Sequence, residues 1–428
     1  MHVRLALPIL ALALLLVAAP AADAKRGPCV LGQKQPKCHI IPAKVGPVHD
    51  GDTFKAKFKS SGGLRLVRMN GIQAMELHKY GRRGGRKGEC NGIEAVETLE
   101  KMIRNSKVRL VTQDLKSVSE GKRGRLRRTV HVKQGGRWID PGEELLKKGL
   151  VLWFPNAKEW AWNKKYRVLA AQAARKEIGL WDSTSCGSGP AQDIPLRMKL
   201  KWDAEDADAK NVNGEFARIR NLDPRRDLSL AGWWFRDSDL RRYTFKRGDV
   251  IPAGGAIRVL PGRGRDTADT FHWGLGGSIW ENVIGGAHAQ GDGAYLFDPD
   301  GDLRAYVQYP CVISCRDPAA GRVSINATAR GTELITLRNT SSTPLDLTEY
   351  EIESVPWFFE FSPGTILDPG QVLILYIQNG PGRRGAIVKE WGFNKSLLAD
   401  RKDAVTLRNP LGAPVVCDSW GGVRCPNV

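Results

Sequence analysis

The chain has 428 residues, 42% of them hydrophobic, and a formal net charge of +19 at pH 7. This length is too great for one ordinary hydrophobic core, so it predicts two or three packed domains. No stretch beyond residue 24 approaches the roughly 20 apolar residues that a spanning helix needs. The sequence there excludes a membrane-spanning helix and indicates globular structure.

The first 24 residues have the pattern of a cleaved signal peptide. Arg4 precedes an apolar run from Leu5 to Ala19, and Ala22-Asp23-Ala24 follows before Lys25. We therefore expect a secreted, extracellular protein with cleavage near Ala24.

All eight cysteines follow that segment. An even number in a chain bound for an oxidising compartment predicts disulfides. Zinc ligation is the alternative, but no Cys-x2-Cys pair accompanies these thiols. Proximity along the chain suggests Cys29 with Cys38, Cys311 with Cys315, and Cys417 with Cys425, which leaves Cys90 with Cys186.

The positive charge is concentrated in one part of the chain. Residues 25–189 contain 35 Lys and Arg against 15 Asp and Glu, whereas residues 190–428 contain 29 against 30. Such a concentration suits a polyanion such as DNA or RNA, because cationic side chains release the counterions of phosphates. A solvated surface that keeps the protein soluble is the alternative.

The basic part reads as a small α+β domain. Alternating runs such as FKAKF and LRLVRM predict strands, and IEAVETLEKMI predicts a helix with Ile93, Val96, Leu99 and Ile103 on one face. Two further helical patterns follow Trp138. We expect an extension at 25–44, a β barrel with helices at 45–186, and a linker at 187–204.

The rest of the chain repeats itself. LSLAGW at 228–233 corresponds to LDLTEY at 345–350, and LFDPDG at 296–301 corresponds to LRNPLG at 407–412. Each copy has about 110 residues of short strands and Gly/Pro turns, which predicts tandem β-sandwiches at 205–315 and 316–428. The fold class is therefore multi-domain and mainly β.

Residues suited to phosphodiester chemistry cluster in the basic part. DGDT at 50–53 supplies Asp50 and Asp52, VRMNGIQAMEL supplies Arg68 and Glu76, and GKRGRLRRTVHV supplies Arg125. Carboxylates bind hard cations or take a proton from water, and guanidinium groups bind phosphate. A polar turn is the simpler interpretation of DGDT alone.

Residues 45–182 resemble the thermonuclease (staphylococcal nuclease-like) family, whose pattern is DGDT, then VRL-x-GIDAPE, then a helix ending in Gly-Leu-Trp. The resemblance implies a five-stranded OB-fold barrel with three helices and a calcium-dependent endonuclease. It makes Asp52 a Ca²⁺ ligand supported by Asp50. Arg68 and Arg125 would bind phosphate, and Glu76 would be the general base.

The chain departs from this pattern at the second metal ligand. Gln73 stands where the family has aspartate, Ala74 has the position of a carbonyl ligand, and Met75 replaces the family's proline. An amide oxygen can coordinate Ca²⁺, but the site loses one negative charge. We expect weaker calcium binding than in the typical family site.

A basic insertion follows at once. HKYGRRGGRKGE at 78–89 contains Arg82, Arg83 and Arg86, which together with Lys122 are expected to guide the nucleic acid strand. A disordered loop is the alternative. Trp153, Trp160, Trp162 and Trp181 are expected to fill the seam between the barrel and its helices.

Both repeat copies resemble the lamin tail domain, at about 205–311 and more weakly at 320–417, with Trp233 becoming Tyr350. The resemblance implies an immunoglobulin-like sandwich used for binding, with an unknown surface or protein ligand. DPDGD at 298–302 lacks the glutamate of a calcium loop, so we expect a hairpin turn.

The leading hypothesis is a secreted calcium-dependent nuclease that cleaves DNA, and RNA as a further possible substrate, with products ending in 3′-phosphate by family resemblance. One alternative is an inactive nucleic-acid-binding protein, because the aspartate at 73 is lost. The other is a surface adhesion or scaffold protein in which the sandwiches carry the function.

Overall fold

The structure is a computed structural model, and it describes residues 25–58, 63–77, 89–119, 124–183, 187, 189–204, 208–239, 241–283, 285–286, 288–313, 317–354, 357–410 and 413–425. The expected signal peptide lies outside these residues. The described chain forms a barrel module followed by two β-sandwiches.

The barrel is closed by a long second strand. Strand β2 pairs with β3 on one side and with β6 on the other, so the order β2-β3-β4-β7-β6 returns to β2. All pairs in this ring are antiparallel except β4 with β7. The strands of the module are β1 Lys25–Pro28, β2 Lys37–Val48, β3 Thr53–Phe58, β4 Leu64–Met69, β5 Ile72–Ala74, β6 Lys107–Thr112, β7 Leu126–Gln134, β8 Arg137–Ile139 and β9 Val151–Trp153.

The expected extension at 25–44 belongs to the barrel instead. Ile40 to Lys44 pair with β6, and the disulfide Cys29–Cys38 joins β1 to β2. Strand β2 has 12 residues, and the first eight of them precede Val45, where the expected barrel begins. A strand with a proline in its middle is difficult to recognise from sequence.

In the part of the module that the structure describes, the helices packed on the barrel core are α1 Gly92–Ile103, α2 Pro141–Lys147 and α3 Asn163–Arg175. The buried face of α1 is Gly92, Ala95, Leu99 and Ile103, so the expected core position Ile93 is wrong and its side chain is 50% exposed. Gly92 and Ala95 are three residues apart and lie on one face of the helix. Ile93 is one residue beyond Gly92, so its side chain points about 100° away from that face. Trp153, Trp162 and Trp181 are buried, as expected, whereas Trp160 is half-buried and its ring lies 4.4 Å from that of His288 in the first sandwich.

Each sandwich has two four-stranded sheets and one two-stranded sheet, in the same order in both copies. The strands of the first sandwich are β10 Leu196–Lys201, β11 Phe216–Asn221, β12 Leu228–Ser229, β13 Trp234–Asp237, β14 Arg242–Thr244, β15 Val250–Ile251, β16 Ala256–Leu260, β17 Thr270–His272, β18 Asp292–Phe297 and β19 Leu303–Tyr309. Those of the second are β20 Val323–Thr328, β21 Leu334–Asn339, β22 Leu345–Asp346, β23 Glu351–Ser354, β24 Trp357–Glu360, β25 Ile366–Leu367, β26 Val372–Tyr376, β27 Ala386–Glu390, β28 Asp403–Arg408 and β29 Pro414–Trp420.

Corresponding side chains have corresponding roles in the two copies. Asn221 and Asn339 are both fully buried, and each side-chain amide donates to a backbone carbonyl of the turn that follows, Arg226 at 2.6 Å and Thr343 at 2.8 Å. The expected linker 187–204 is partly wrong, because β10 pairs with β11 in the first sandwich. The expected turn at DPDGD is confirmed, since it joins the antiparallel strands β18 and β19.

The first sandwich packs against the barrel module through the outer face of one sheet. All six residues of β18 are buried. Ala294 and Leu296 point into the sandwich core, whereas Tyr295 and Phe297 lie in a cluster with Trp181 of the barrel module. A strand covered on both faces loses the alternating burial pattern. The sandwich and the barrel therefore share a hydrophobic interface.

The second sandwich uses the corresponding face to contact the first. There Glu351 and Arg408 stand at the repeat positions of Trp234 and Phe297, so the contact is mainly ionic, with one aromatic pair, Phe216 and Phe358, at 5.9 Å between ring centroids. The ion pairs join cations on β10 and β11 to glutamates on and near β23 and β24. They comprise Arg197 and Arg220 with Glu349, Lys199 and Arg218 each with both Glu351 and Glu360, and Arg220 with Glu360.

Two of the expected disulfides, Cys29–Cys38 and Cys417–Cys425, are confirmed. Cys90 and Cys311 are disulfide-bonded as well, while their expected partners Cys186 and Cys315 lie outside the described residues. Among the described helices, none is long and apolar enough to cross a membrane.

Candidate active site

The DGDT segment forms a tight turn between β2 and β3. The Asp52 amide donates to Asp50 Oδ1 at 2.9 Å, and the amide of His49 donates to the Thr53 carbonyl at 2.8 Å. Gly51 packs so closely that a Cβ placed there would lie 2.6 Å from the Ala95 Cβ and 2.8 Å from the Ala74 Cβ. The glycine therefore lets the acidic turn rest directly on α1 and β5.

Asp52 is anchored inside the module and is 1% exposed. Its Oδ2 accepts the Ala74 amide at 2.7 Å, its Oδ1 accepts the Thr53 hydroxyl at 2.8 Å, and the same oxygen pairs with Arg68. These contacts hold the turn against the strand that carries Gln73. The first and second parts of the sequence motif therefore meet in space.

Arg68 lies at the centre of the cluster. It stands opposite Thr53 across β3 and β4, is 5% exposed, and donates from Nη2 to Gln73 Oε1. Burial, and then the positive charge of Arg125, lower the pKa of Arg68 to about 9, and the carboxylates of Asp50 and Glu76 oppose this. The guanidinium stays charged at neutral pH.

Arg125 lies over the same turn from the strand β7 side. Its Nη1 donates to Thr53 Oγ1 at 3.2 Å and its Nε to Ser119 Oγ at 3.3 Å. Burial raises the pKa of Asp50, and the nearby guanidiniums of Arg68 and Arg125 and the bonds from Thr53 oppose that shift. Two cationic side chains therefore converge on one acidic turn.

Glu76 follows β5 and is half-buried. Its amide donates to Glu89 Oε2 at 2.8 Å, and its carbonyl accepts the Glu89 amide at 2.9 Å. Its charge acts on the guanidinium of Arg68. Arg68 thus bonds to Asp52 and Gln73, and Asp50, Glu76 and Arg125 act on it through their charges.

The expected metal ligands do not fit a resident calcium ion in this arrangement. Asp52 and Gln73 both accept hydrogen bonds from Arg68, and the Ala74 carbonyl accepts from Gln73 Nε2 at 2.9 Å. A guanidinium thus takes the place between the ligands that a cation needs. Among the described residues, no group of three His, Cys, Asp or Glu side chains is placed to hold a metal.

A family model for the lamin tail domain matches residues 203–311 and 316–421, just over half of the chain. The chain belongs to the lamin tail domain family. Both matches fall on the two sandwiches, so the expected resemblance of the repeats is confirmed and the two copies are lamin tail domains. Neither match includes a residue of the barrel module. No curated protein matches the chain.

The first lamin tail domain contacts the barrel beside the candidate site. Met75, which stands between Ala74 and Glu76, is 1% exposed and lies in the cluster with Trp234, Tyr295 and Phe297 of that domain. The α3 residue Arg167 donates to the Tyr309 carbonyl across the same interface. The domain therefore adjoins the segment that carries Gln73 and Glu76.

The expected substrate-guiding residues Arg82, Arg83, Arg86 and Lys122 lie outside the described residues, so their role stays a prediction. Sequence reasoning missed Ser119 and Glu89, which contact Arg125 and Glu76. The one signal for Glu89 is a single carboxylate at the end of a basic insertion. Nothing in the local sequence distinguishes Ser119 from an ordinary loop serine.

Proposed function

We propose that the barrel module binds a phosphodiester of DNA or RNA and hydrolyses it. The convergence of Arg68, Arg125 and Glu76 over one acidic turn supports this proposal. Under the same proposal, the barrel module has an OB fold and is related to the thermonucleases. The protein would act outside the cell, where its disulfides are stable.

Phosphate binding would fall to the guanidinium groups. Arg125 is half-buried and reaches over the turn from Thr53, while Arg68 is held deeper by Asp52. Bidentate contacts from arginine stabilise the added charge of a pentacovalent phosphate. Arg125 would bind the phosphate first. Its partners are neutral hydroxyl groups, which compete with phosphate for the guanidinium less than the carboxylate of Asp52 competes for Arg68.

Glu76 would act as the general base. A carboxylate that takes a proton from water makes the water oxygen a better nucleophile toward phosphorus. As the water oxygen bonds to phosphorus, the bond to the 5′-oxygen would break, this oxygen would take a proton from solvent water, and the product would end in a 3′-phosphate, as the family resemblance implies. Asp50 and Asp52 would hold the arginines in position.

Calcium dependence stays a prediction that the present arrangement does not favour. The chemistry a divalent ion would supply is charge neutralisation at the phosphate. In the described structure Arg68 supplies a positive charge at Asp52 instead. The mechanism above therefore contains no step that depends on calcium.

A second candidate function is nucleic-acid binding without cleavage. Arg68 contacts both Asp52 and Gln73. Its guanidinium therefore takes the position that the thermonuclease pattern gives to the metal, which favours binding without cleavage. The net positive charge of the module suits either function.

Nicking of supercoiled plasmid separates the two functions. We expect cleavage by the purified chain, a loss of about 100-fold or more in Glu76→Gln, and no change in the control Glu97→Gln on the exposed side of α1. Parallel reactions with Ca²⁺ and with chelator test the metal. Tight plasmid binding with no cleavage under either condition would support the binding function and refute hydrolysis.

A further inference from the structure

We propose that the first lamin tail domain positions Glu76, so that the barrel and this domain form one catalytic unit. The inference rests on the proposed function, since it assigns Glu76 a role in hydrolysis. It adds a positioning role for Met75, Glu89 and Gly301, which neither the family match nor the resemblance assigns.

Met75 makes the first connection. The residue is adjacent to Glu76 in the chain, and its side chain is buried in the cluster that joins Trp181 of the barrel module to Trp234, Tyr295 and Phe297 of the lamin tail domain. A flexible thioether side chain fills irregular space between aromatic rings, and proline at this position has no such reach. The departure of Met75 from the thermonuclease pattern therefore coincides with a contact that joins the two domains.

Glu89 makes the second connection. Its side chain accepts the Glu76 amide and its own amide donates to the Glu76 carbonyl, at 2.8 and 2.9 Å, so it holds both sides of the base's backbone. Burial raises the pKa of Glu89, while its bond from Glu76 and the positive charge of Arg236 from the lamin tail domain oppose the shift. Glu89 thus lies between the base and that domain.

Gly301 makes the contact on the lamin tail side. It lies in the DPDGD turn with a φ of 86°, and a Cβ placed there would be 3.0 Å from the Glu89 Cα. The neighbouring Asp298 holds the turn by accepting the amides of Asp300 and Asp302 at 3.0 and 3.1 Å. A rigid turn is therefore pressed against the backbone that carries Glu89.

These contacts bear on catalysis because a general base acts over a short range. A shift of about 1 Å in a catalytic group can lower the rate about 100-fold. Removing the lamin tail contact frees the backbone at Met75 and Glu76 without touching the arginines that bind phosphate. We therefore expect turnover to fall while nucleic acid affinity is retained.

Gly301→Ala in the full chain tests this inference. We expect kcat for plasmid nicking to fall about 10- to 100-fold with the Kd for DNA unchanged. Gly248→Ala is the matched control, since Gly248 has a φ of 101° in the same domain but has no atom within 4 Å of the added Cβ. Its kcat should stay at the wild-type value.

Glu89 variants separate positioning from general loss of structure. Glu89→Ala should lower kcat as Gly301→Ala does, while Glu89→Gln keeps an acceptor for the Glu76 amide and should recover most of the rate. Unchanged kcat in both folded Gly301→Ala and folded Glu89→Ala would overturn the inference.

Hydrogen exchange of the Glu76 amide tests the contact independently of activity. Gly301→Ala should speed its exchange at least tenfold, and Gly248→Ala should not. If the wild-type chain does not cleave nucleic acid, the proposed function fails while this measurement still decides the contact. Equal protection in wild type and Gly301→Ala would refute it.

Discussion

Arg68→Met tests the buried ion pair at the centre of the candidate site. Arg68 is 5% exposed and its partner Asp52 is 1% exposed, so the variant leaves a carboxylate buried without its cation. Breaking such a pair costs about 3–5 kcal/mol, and the unpaired Gln73 amide oxygen adds about 1 kcal/mol. We expect the barrel to lose about 4 kcal/mol or more in free energy of unfolding. This corresponds to a fall in Tm of about 10 °C or more.

Calorimetry of the full chain measures this effect, with each thermal transition fitted separately because a multi-domain chain is not two-state. Arg65→Met is the matched control on the same strand, and its exposed side chain should change stability by less than about 0.5 kcal/mol. The double variant Arg68→Met/Asp52→Asn should be more stable than the sum of the single changes predicts, by about 1–3 kcal/mol. Strict additivity of the two substitutions would refute the ion pair.

Four further predictions concern other parts of the molecule. The ligand set implied by the thermonuclease resemblance predicts that Gln73→Asp tightens Ca²⁺ binding about tenfold or more by isothermal titration calorimetry, whereas the arrangement with Arg68 between Asp52 and Gln73 predicts an unchanged affinity. Burial lowers the pKa of His131 to about 4, so the folded barrel resists protonation of this side chain and loses stability as the pH falls from about 6.5 to 4. His131→Leu should reduce that loss of stability by about 3 kcal/mol. An identical dependence of stability on pH in the variant would contradict this prediction. Cys29→Ala/Cys38→Ala opens a short loop and should destabilise the barrel by about 2–3 kcal/mol in thermal unfolding, whereas an unchanged Tm would argue against that role. Lys199→Met removes one of the two cations, the other being Arg218, that pair with both Glu351 and Glu360. It should make the two lamin tail domains unfold in separate calorimetric transitions, while a single joint transition would contradict it.

Features that depend on local pattern were predictable from the sequence. The two lamin tail domains followed from a repeat with matching turn residues, and the clustering of Arg68, Gln73 and Glu76 followed from a motif whose parts lie close along the chain. Short-range disulfides such as Cys417–Cys425 followed from spacing. In each case the partners are close in sequence or are repeated at a fixed interval.

Features that depend on distant pairing were not predictable. Strand β2 reads as an extension because its pairing with β6 joins residues about 70 apart. The face of α1 was misjudged because apolar spacing admits two registers and only the barrel selects Ala95 over Ile93. The motif does not predict the ion pair of Arg68 with Asp52, because it assigns Arg68 to the phosphate and Asp52 to calcium.

The two lamin tail domains stack in one direction, each placing the same sheet on the module before it. The opposite sheet of the first domain carries Arg197 and Lys199 for the next domain, whereas the second domain has Ser324 and Asn326 at these positions, both exposed. Hydroxyl and amide groups in water form no ion pairs with a following copy. The second domain therefore resembles the capping unit of a repeat protein, whose polar outer face ends the array. A third copy added after it would meet one cation, Arg338 at the position of Arg220, in place of the four that join the first two copies.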